Sequence, residues 1–178
     1  LAQQVGFGGA KVGVIPPWVD VESIQPISKS DNPYASDYVP TGKIVALYSG
    51  NMGASHDMDS ILEATRLLRD DPNIFFLLIG GGVRFQDAVD FAEKHALDNL
   101  KVLPWQPAEK VKYTMPLADI ALVALDEGME DLLVPSKSCA YLAAGSAIIA
   151  IAHGPSELSD LLKRGDFGVR VAPRQPEA

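Results

Sequence analysis

Cysteine is almost absent from this 178-residue chain: Cys139 is the only one. A single thiol can form neither an internal disulfide nor a cysteine metal cluster, which suits a reducing compartment, and a cytoplasmic location is expected. No uninterrupted apolar stretch reaches the roughly 18 residues of a membrane-spanning helix. The opening "LAQQVGFGGAKVG" has no basic-then-apolar signal texture either. Runs of Lys and Arg with interleaved aromatics are also lacking. With 15 basic against 23 acidic residues the formal net charge is -8, which repels a polyanion and argues against nucleic acid as a partner. The three histidines, His56, His95 and His153, are too scattered for metal-ligand spacing, so no metal site is expected, and nothing resembles a Ser-His-Asp or Cys-His triad. Neither GxGxxG nor GxxxxGK(S/T) occurs, which counts against a nicotinamide dehydrogenase and a P-loop NTPase.

What is present describes a soluble globular protein, with 47% hydrophobic and 21% charged residues, enough for one well-buried domain. The first forty residues differ in texture from the rest. "KVGVIPPWVD" is a short apolar strand ending at a Pro-Pro corner, and "ISKSDNPYASDYVPTG" is a polar, Pro- and Ser-rich connector without helical or strand period. Residues 1–40 therefore read as an interdomain strand and linker, and residues 41–178 as the domain. Because the chain does not begin with methionine, it is expected to be cut from something longer.

From Lys43 onward apolar runs alternate with helical patterns. "KIVALYSG", "NIFFLLIGGG", "LKVLPW", "ADIALVAL", "AIIAIA" and "FGVRVAP" read as strands. Between the first two, Met58, Ile61, Leu62, Thr65 and Leu68 recur along one helical face, and Val83, Phe85, Val89 and Ala92 share another. Continuous apolar strands separated by helices of 10 to 15 residues predict a parallel sheet covered on both faces, a doubly wound α/β fold.

In that architecture ligands sit outside the carboxyl ends of the strands. Four such ends are chemically unusual: "SGNMGASHD", "IGGG", "PWQP" and "DEGMEDLLVPSK". Gly50, Gly53, Gly80, Gly81 and Gly82 allow backbone to approach a ligand, although strand-to-helix turns use glycine anyway. Trp105 lies on a stiff turn between prolines, where it packs as core or rim or lines a base pocket. Asp57 or Ser55 caps the helix that follows, leaving His56 in its first turn facing the cleft. Glu127, Glu130 and Asp131 read as a solvated acidic loop, and Cys139 as a small hydrophobe inside a helix. Lys137 stands at the start of that helix, where a cation opposes the macrodipole. Either it is a solvated surface lysine or an anion meets it there.

Together these segments resemble the group 1 glycosyltransferases of the two-domain GT-B fold. "VIPPWVD" is similar to their hinge strand, and "ALYSGNMGASHDMDSILEA", "FFLLIGGG", "VLPWQPAEKV", "ADIALVAL" and "EDLLVPSKSCAYLAAGSAIIAI" follow their donor-domain motifs in order. "VPSK" with "AAG" is particularly similar to enzymes that build bacterial surface polysaccharides. The resemblance implies a nucleotide-sugar-binding Rossmann-like domain, with an acceptor-binding domain before Leu1 and final helices after "GVRVAP". It implies retaining transfer of a hexose from a UDP- or GDP-linked donor to an acceptor sugar or lipid-linked saccharide, at the cytoplasmic face of the membrane, without metal or cofactor. The implied donor-binding residues are Gly50, Asn51, Gly53, His56, Gly80, Gly81, Trp105, Gln106 and Ser136, and the implied catalytic residues are Lys137 and Glu130. Many relatives hold the diphosphate with an arginine and a lysine where this chain has Asn51 and His56, so Lys137 is expected to carry more of that charge. Ala140 stands where many relatives have a ribose-binding glutamate. The chain alone is expected to bind donor without transferring sugar. The alternatives are a non-catalytic α/β nucleotide-binding or signalling module and a GT-B sugar-nucleotide epimerase.

Overall fold

The apolar runs that open after Lys43 fold as strands. β1 (Ile44–Asn51) and β2 (Ile74–Gly81) are buried over Val45–Tyr48 and Phe75–Gly80. Both faces of each strand are covered, so the sequence is continuously apolar and does not alternate. The computed structural model describes residues 17–125, 136–154 and 156–177. Among them β3 (Leu100–Pro104), β4 (Ile120–Ala124), β5 (Ala147–Ile151) and β6 (Gly168–Val171) complete one parallel sheet of order β3-β2-β1-β4-β5-β6. This is the doubly wound, Rossmann-like α/β arrangement that the alternation predicts. The chain runs outward from β1 to β3, returns to the centre, and runs out the other way, so the order reverses between β1 and β4.

Helices cover both faces. α1 (Ala35–Tyr38), α4 (Val111–Thr114) with its flanking 3-10 turns, α5 (Lys137–Ala143) and α6 (Glu157–Gly165) lie on one side, where Leu117, Tyr141 and Leu162 pack on Val45, Leu47, Leu77 and Ile148. α2 (Met58–Leu67) and α3 (Phe85–His95) lie on the other, setting Met58, Ile61, Leu62 and Ala88 against Ala46, Tyr48, Phe76 and Leu78. Asp57 caps α2 by accepting the Ser60 N–H at 3.0 Å and also accepts the Arg174 N–H at 3.1 Å, tying the C-terminal segment to the start of that helix. The helical periods need two corrections. Leu68 is the C-cap of α2 and 36% exposed, and Val83 precedes α3 and is 75% exposed. The buried face of α3 is set instead by Ala88, with Phe85, Phe91 and Ala92 packed beside it.

The connector carries structure that its polar composition hides. Ala35, Tyr38 and Val39 are each 7% exposed and belong to the same core as β1. Burial of side chains this size contributes on the order of 2 kcal/mol each for Tyr38 and Val39. Polar residues hold the segment in place: Asn32 Nδ2 donates to the Tyr113 carbonyl at 2.7 Å, and Lys29 pairs with Asp119, whose carboxylate also accepts the Val45 N–H at 2.6 Å. The prolines and serines of the stretch shape turns around these buried apolar anchors, whose i, i+3, i+4 spacing makes a single helical turn, too short to stand out in the sequence.

Candidate functional site

β1 and β4 are ladder partners only at Ala46 with Ile120 and Leu47 with Ala121. Beyond Leu47 the strands part, which leaves the outward-facing peptide groups of β1 to find other partners. Ser49 finds them on α5. Its N–H donates to the Tyr141 hydroxyl at 2.7 Å, and its carbonyl accepts from Lys137 Nζ at 3.0 Å. Positions 137 and 141 are four apart and so lie on one face of the helix. That single face holds the carboxyl end of β1 and opens a cleft at the point where the strand order reverses.

The cleft has a volume of about 420 Å³, within the range of roughly 300–1,000 Å³ typical of small-molecule sites. Gly50, Asn51, His56, Trp105, Ser136 and Lys137, all expected from the sequence, line it. Three further glycines lie behind the lining. A Cβ on Gly80 would stand 1.8 Å from the Gly50 carbonyl oxygen, and one on Gly81 would stand 2.6 Å from Trp105 Nε1. The indole can lie across the end of β2 only because no side chain is there. A Cβ on Gly53 would stand 2.9 Å from Asn51 Nδ2 and 3.2 Å from His56 Nδ1, so that glycine lets both side chains fold back toward the cleft. Gln106 is absent from the lining. Its Oε1 accepts from the Tyr38 hydroxyl at 2.8 Å and its Nε2 donates to the Pro104 carbonyl at 2.9 Å. Glu130, with Glu127 and Asp131, lies outside the described residues.

Residues that sequence reasoning passed over complete the walls. Tyr48, Ser49 and Tyr141 contribute polar groups, and Leu122 to Leu125 at the end of β4 form an apolar wall. Tyr141 was legible as the position one turn after Lys137. Tyr48 was hidden as one more apolar residue in a buried strand. Burial pushes both phenols well above the usual tyrosine range, so they remain neutral hydrogen-bonding groups. The Tyr48 hydroxyl donates to the Asn51 carbonyl at 2.7 Å, and its ring meets His56 edge-on at 6.5 Å between centroids.

Lys137 is the charge in this setting. Its ammonium is half-buried, 3.0 Å from the Ser49 oxygen and 5.1 Å from the centre of the Trp105 ring. No carboxylate among the described residues forms an ion pair with it. Burial lowers its pKa from the ordinary lysine value, the response of a cation that has lost water without gaining an anion. A cation, an aromatic face, an imidazole and an amide around an apolar wall can hold a small molecule with a negative group and a planar group. Among the described residues no group of three or more His, Cys, Asp or Glu could hold a metal ion, and no helix is long and apolar enough to cross a membrane.

Comparison with known proteins converges on one family. The family profile described as "Glycosyl transferases group 1" matches residues 35–178. The chain is 30% identical over 165 residues to the probable glycosyltransferase WbjE of Pseudomonas aeruginosa, covering 90% of this chain and 40% of that protein. It is 28% identical over 180 residues to the putative colanic acid biosynthesis glycosyl transferase WcaI of Escherichia coli, covering 99% and 44%. It therefore spans less than half the length of either relative. Among solved structures, HepE of Anabaena, crystallised in complex with UDP and glucose, superposes with a TM-score of 0.68 at 15% identity over 96% of this chain and 46% of that one, which shows a shared fold.

Proposed function

The chain belongs to the group 1 glycosyl transferases, and on that premise we propose that it supplies the donor-binding half of a retaining hexosyltransferase whose switch-point cleft takes a UDP- or GDP-linked sugar. The observation that carries this reading is Lys137. Of the described residues lining the cleft it alone carries a fixed positive charge, it is partly desolvated, and it has no carboxylate partner among the described residues. Polypeptide rarely leaves a half-buried ammonium without an anion unless a ligand brings one. A diphosphate leaving group gains negative charge as the glycosidic bond breaks, and a preorganised cation beside it lowers the barrier more than one assembled from water. Lys137 is that cation, with no metal or cofactor invoked. Trp105 offers its face to the planar base, Asn51 and His56 flank the phosphates, and Ser136 stands at their edge.

Retention of configuration and the acceptor belong to the complete enzyme. The acceptor, a sugar or lipid-linked saccharide, is brought by a second domain, and cleft closure between the two excludes water from the transfer. The name of WcaI, which places that relative in colanic acid biosynthesis, supports polysaccharide or glycoconjugate assembly, and the UDP and glucose in HepE support a nucleotide-sugar donor. We place the reaction at the cytoplasmic face of the membrane. Membership in the family displaces the signalling-module alternative.

Thermal-shift screening of the 178-residue chain against UDP, GDP, ADP and their sugars tests the proposal, because only binding to the folded state raises the melting temperature. One nucleoside diphosphate and its sugars are expected to raise it, and the matching nucleoside much less. A flat response to all of them would sink the donor reading.

A further inference from the structure

Trp105 forms one wall of the cleft, yet more than half of it is exposed, at 54%. An indole so exposed is not held by packing alone. Its neighbours in sequence are held firmly. Gln106 is clamped at both ends of its amide, with Oε1 accepting from the Tyr38 hydroxyl at 2.8 Å and Nε2 donating to the Pro104 carbonyl at 2.9 Å, so it spans the residue that carries the indole. Pro104 and Pro107 stiffen the same turn.

The far end of the clamp is anchored in the connector. Tyr38 is 7% exposed and sits in the core beneath β1 and β2. Its hydroxyl lies 3.3 Å from Lys110 Nζ, whose ammonium also stands over the Tyr34 ring at 4.7 Å. Lys101, on β3, donates to the Asp37 carbonyl. The connector is thus pinned on both sides of the turn. A chain of two hydrogen bonds leads from a buried tyrosine in the connector to the residue preceding the indole.

We propose that Tyr38 is a positioning residue: acting through Gln106, it fixes the turn that holds Trp105 over Gly81 and beside Lys137, and so couples the connector to the shape of the donor cleft. The proposal rests on the donor reading above for its effect on binding, while its mechanical part does not. Tyr38 touches no ligand in this arrangement. Removing its hydroxyl leaves the ring in the core and frees one end of the Gln106 amide, so Trp105 gains freedom that donor binding must then remove.

The test uses the 178-residue chain with Trp18→Phe, which leaves Trp105 as its only tryptophan. In the ligand-free protein, Tyr38→Phe and separately Gln106→Leu should raise the acrylamide quenching constant of Trp105, and the double variant should match Gln106→Leu alone because both act through one chain. The nucleoside diphosphate found by thermal shift should bind each variant about three- to tenfold more weakly, the usual reach of one hydrogen bond, with the bound-state emission of Trp105 unchanged. A tyrosine that only stabilises the core would lower the melting temperature and leave quenching and affinity alone. Unchanged quenching, changed quenching with unchanged affinity, or additive effects in the double variant would each overturn the proposal. Failure of the parent chain to bind any nucleoside diphosphate is a separate outcome that removes the donor reading, and it is seen before any variant is compared.

Discussion

A lysine at the first position of a helix opposes the helix dipole, and in this fold it is also partly withdrawn from water. Two unfavourable terms on one residue call for a compensating anion. The sign of the pH response follows. Burial holds the folded-state pKa of Lys137 below its unfolded value of 10.5, so between the two values the unfolded chain binds more protons and Lys137 makes the ligand-free protein more stable as pH rises. Diphosphate binding responds in the opposite sense. It needs the ammonium and weakens as pH rises through the lowered pKa, earlier than an ordinary lysine would allow. Titration calorimetry carried upward from neutral pH toward the ordinary lysine value should show affinity falling more steeply with pH for the wild type than for Lys137→Arg, which stays charged throughout that range. A level profile for both proteins would remove the ammonium from the site.

At the scale of elements, α5 substitutes for a missing strand neighbour. Where β4 leaves β1, Tyr141 and Lys137 take up the Ser49 peptide groups, so the helix that lines the cleft also finishes the edge that the cleft exposes. Tyr141→Phe keeps the ring and leaves the Ser49 N–H without its hydroxyl acceptor. Urea denaturation should report a loss of about 1–3 kcal/mol, the cost of stranding a buried donor, and a loss within error of zero would mean that water reaches Ser49. Much of this scale was legible in the sequence. Continuous apolar runs such as "NIFFLLIG" mark strands buried on both faces, and Asp57 two residues past "GAS" marks a helix start. Val83 was misread as helix because its period continues that of α3, while the turn through Gly82, at φ +122, places it outside. The connector was misread as featureless because its three apolar anchors, Ala35, Tyr38 and Val39, span only one helical turn.

At the scale of the whole molecule, the strand order decides where the site lies, and the site's residues come from the ends of β1, β3 and β4 and from α5. Sequence reasoning reached Gly50, Trp105 and Lys137 because a glycine, a proline-bound tryptophan and an isolated charge stand out at strand ends, His56 because it lies in the first turn of the helix after β1, and Asn51 and Ser136 through the resemblance to the family's motifs. It missed Tyr48 and Ser49 because their part depends on the divergence of β1 from β4, a property of the sheet that neither strand records alone. Gln106 was grouped with the cleft by its neighbour in sequence, but a side chain one position along a turn points away. The central claim is that the cleft is an anion-binding nucleotide site organised by Lys137. The most direct test is calorimetry of Lys137→Ala against the wild type with one nucleoside diphosphate and its parent nucleoside. The account predicts that diphosphate binding weakens by about 1.5–3 kcal/mol, the range for hydrogen bonds to charged groups, with nucleoside affinity the same for both proteins. Equal diphosphate affinity for the two proteins would contradict it.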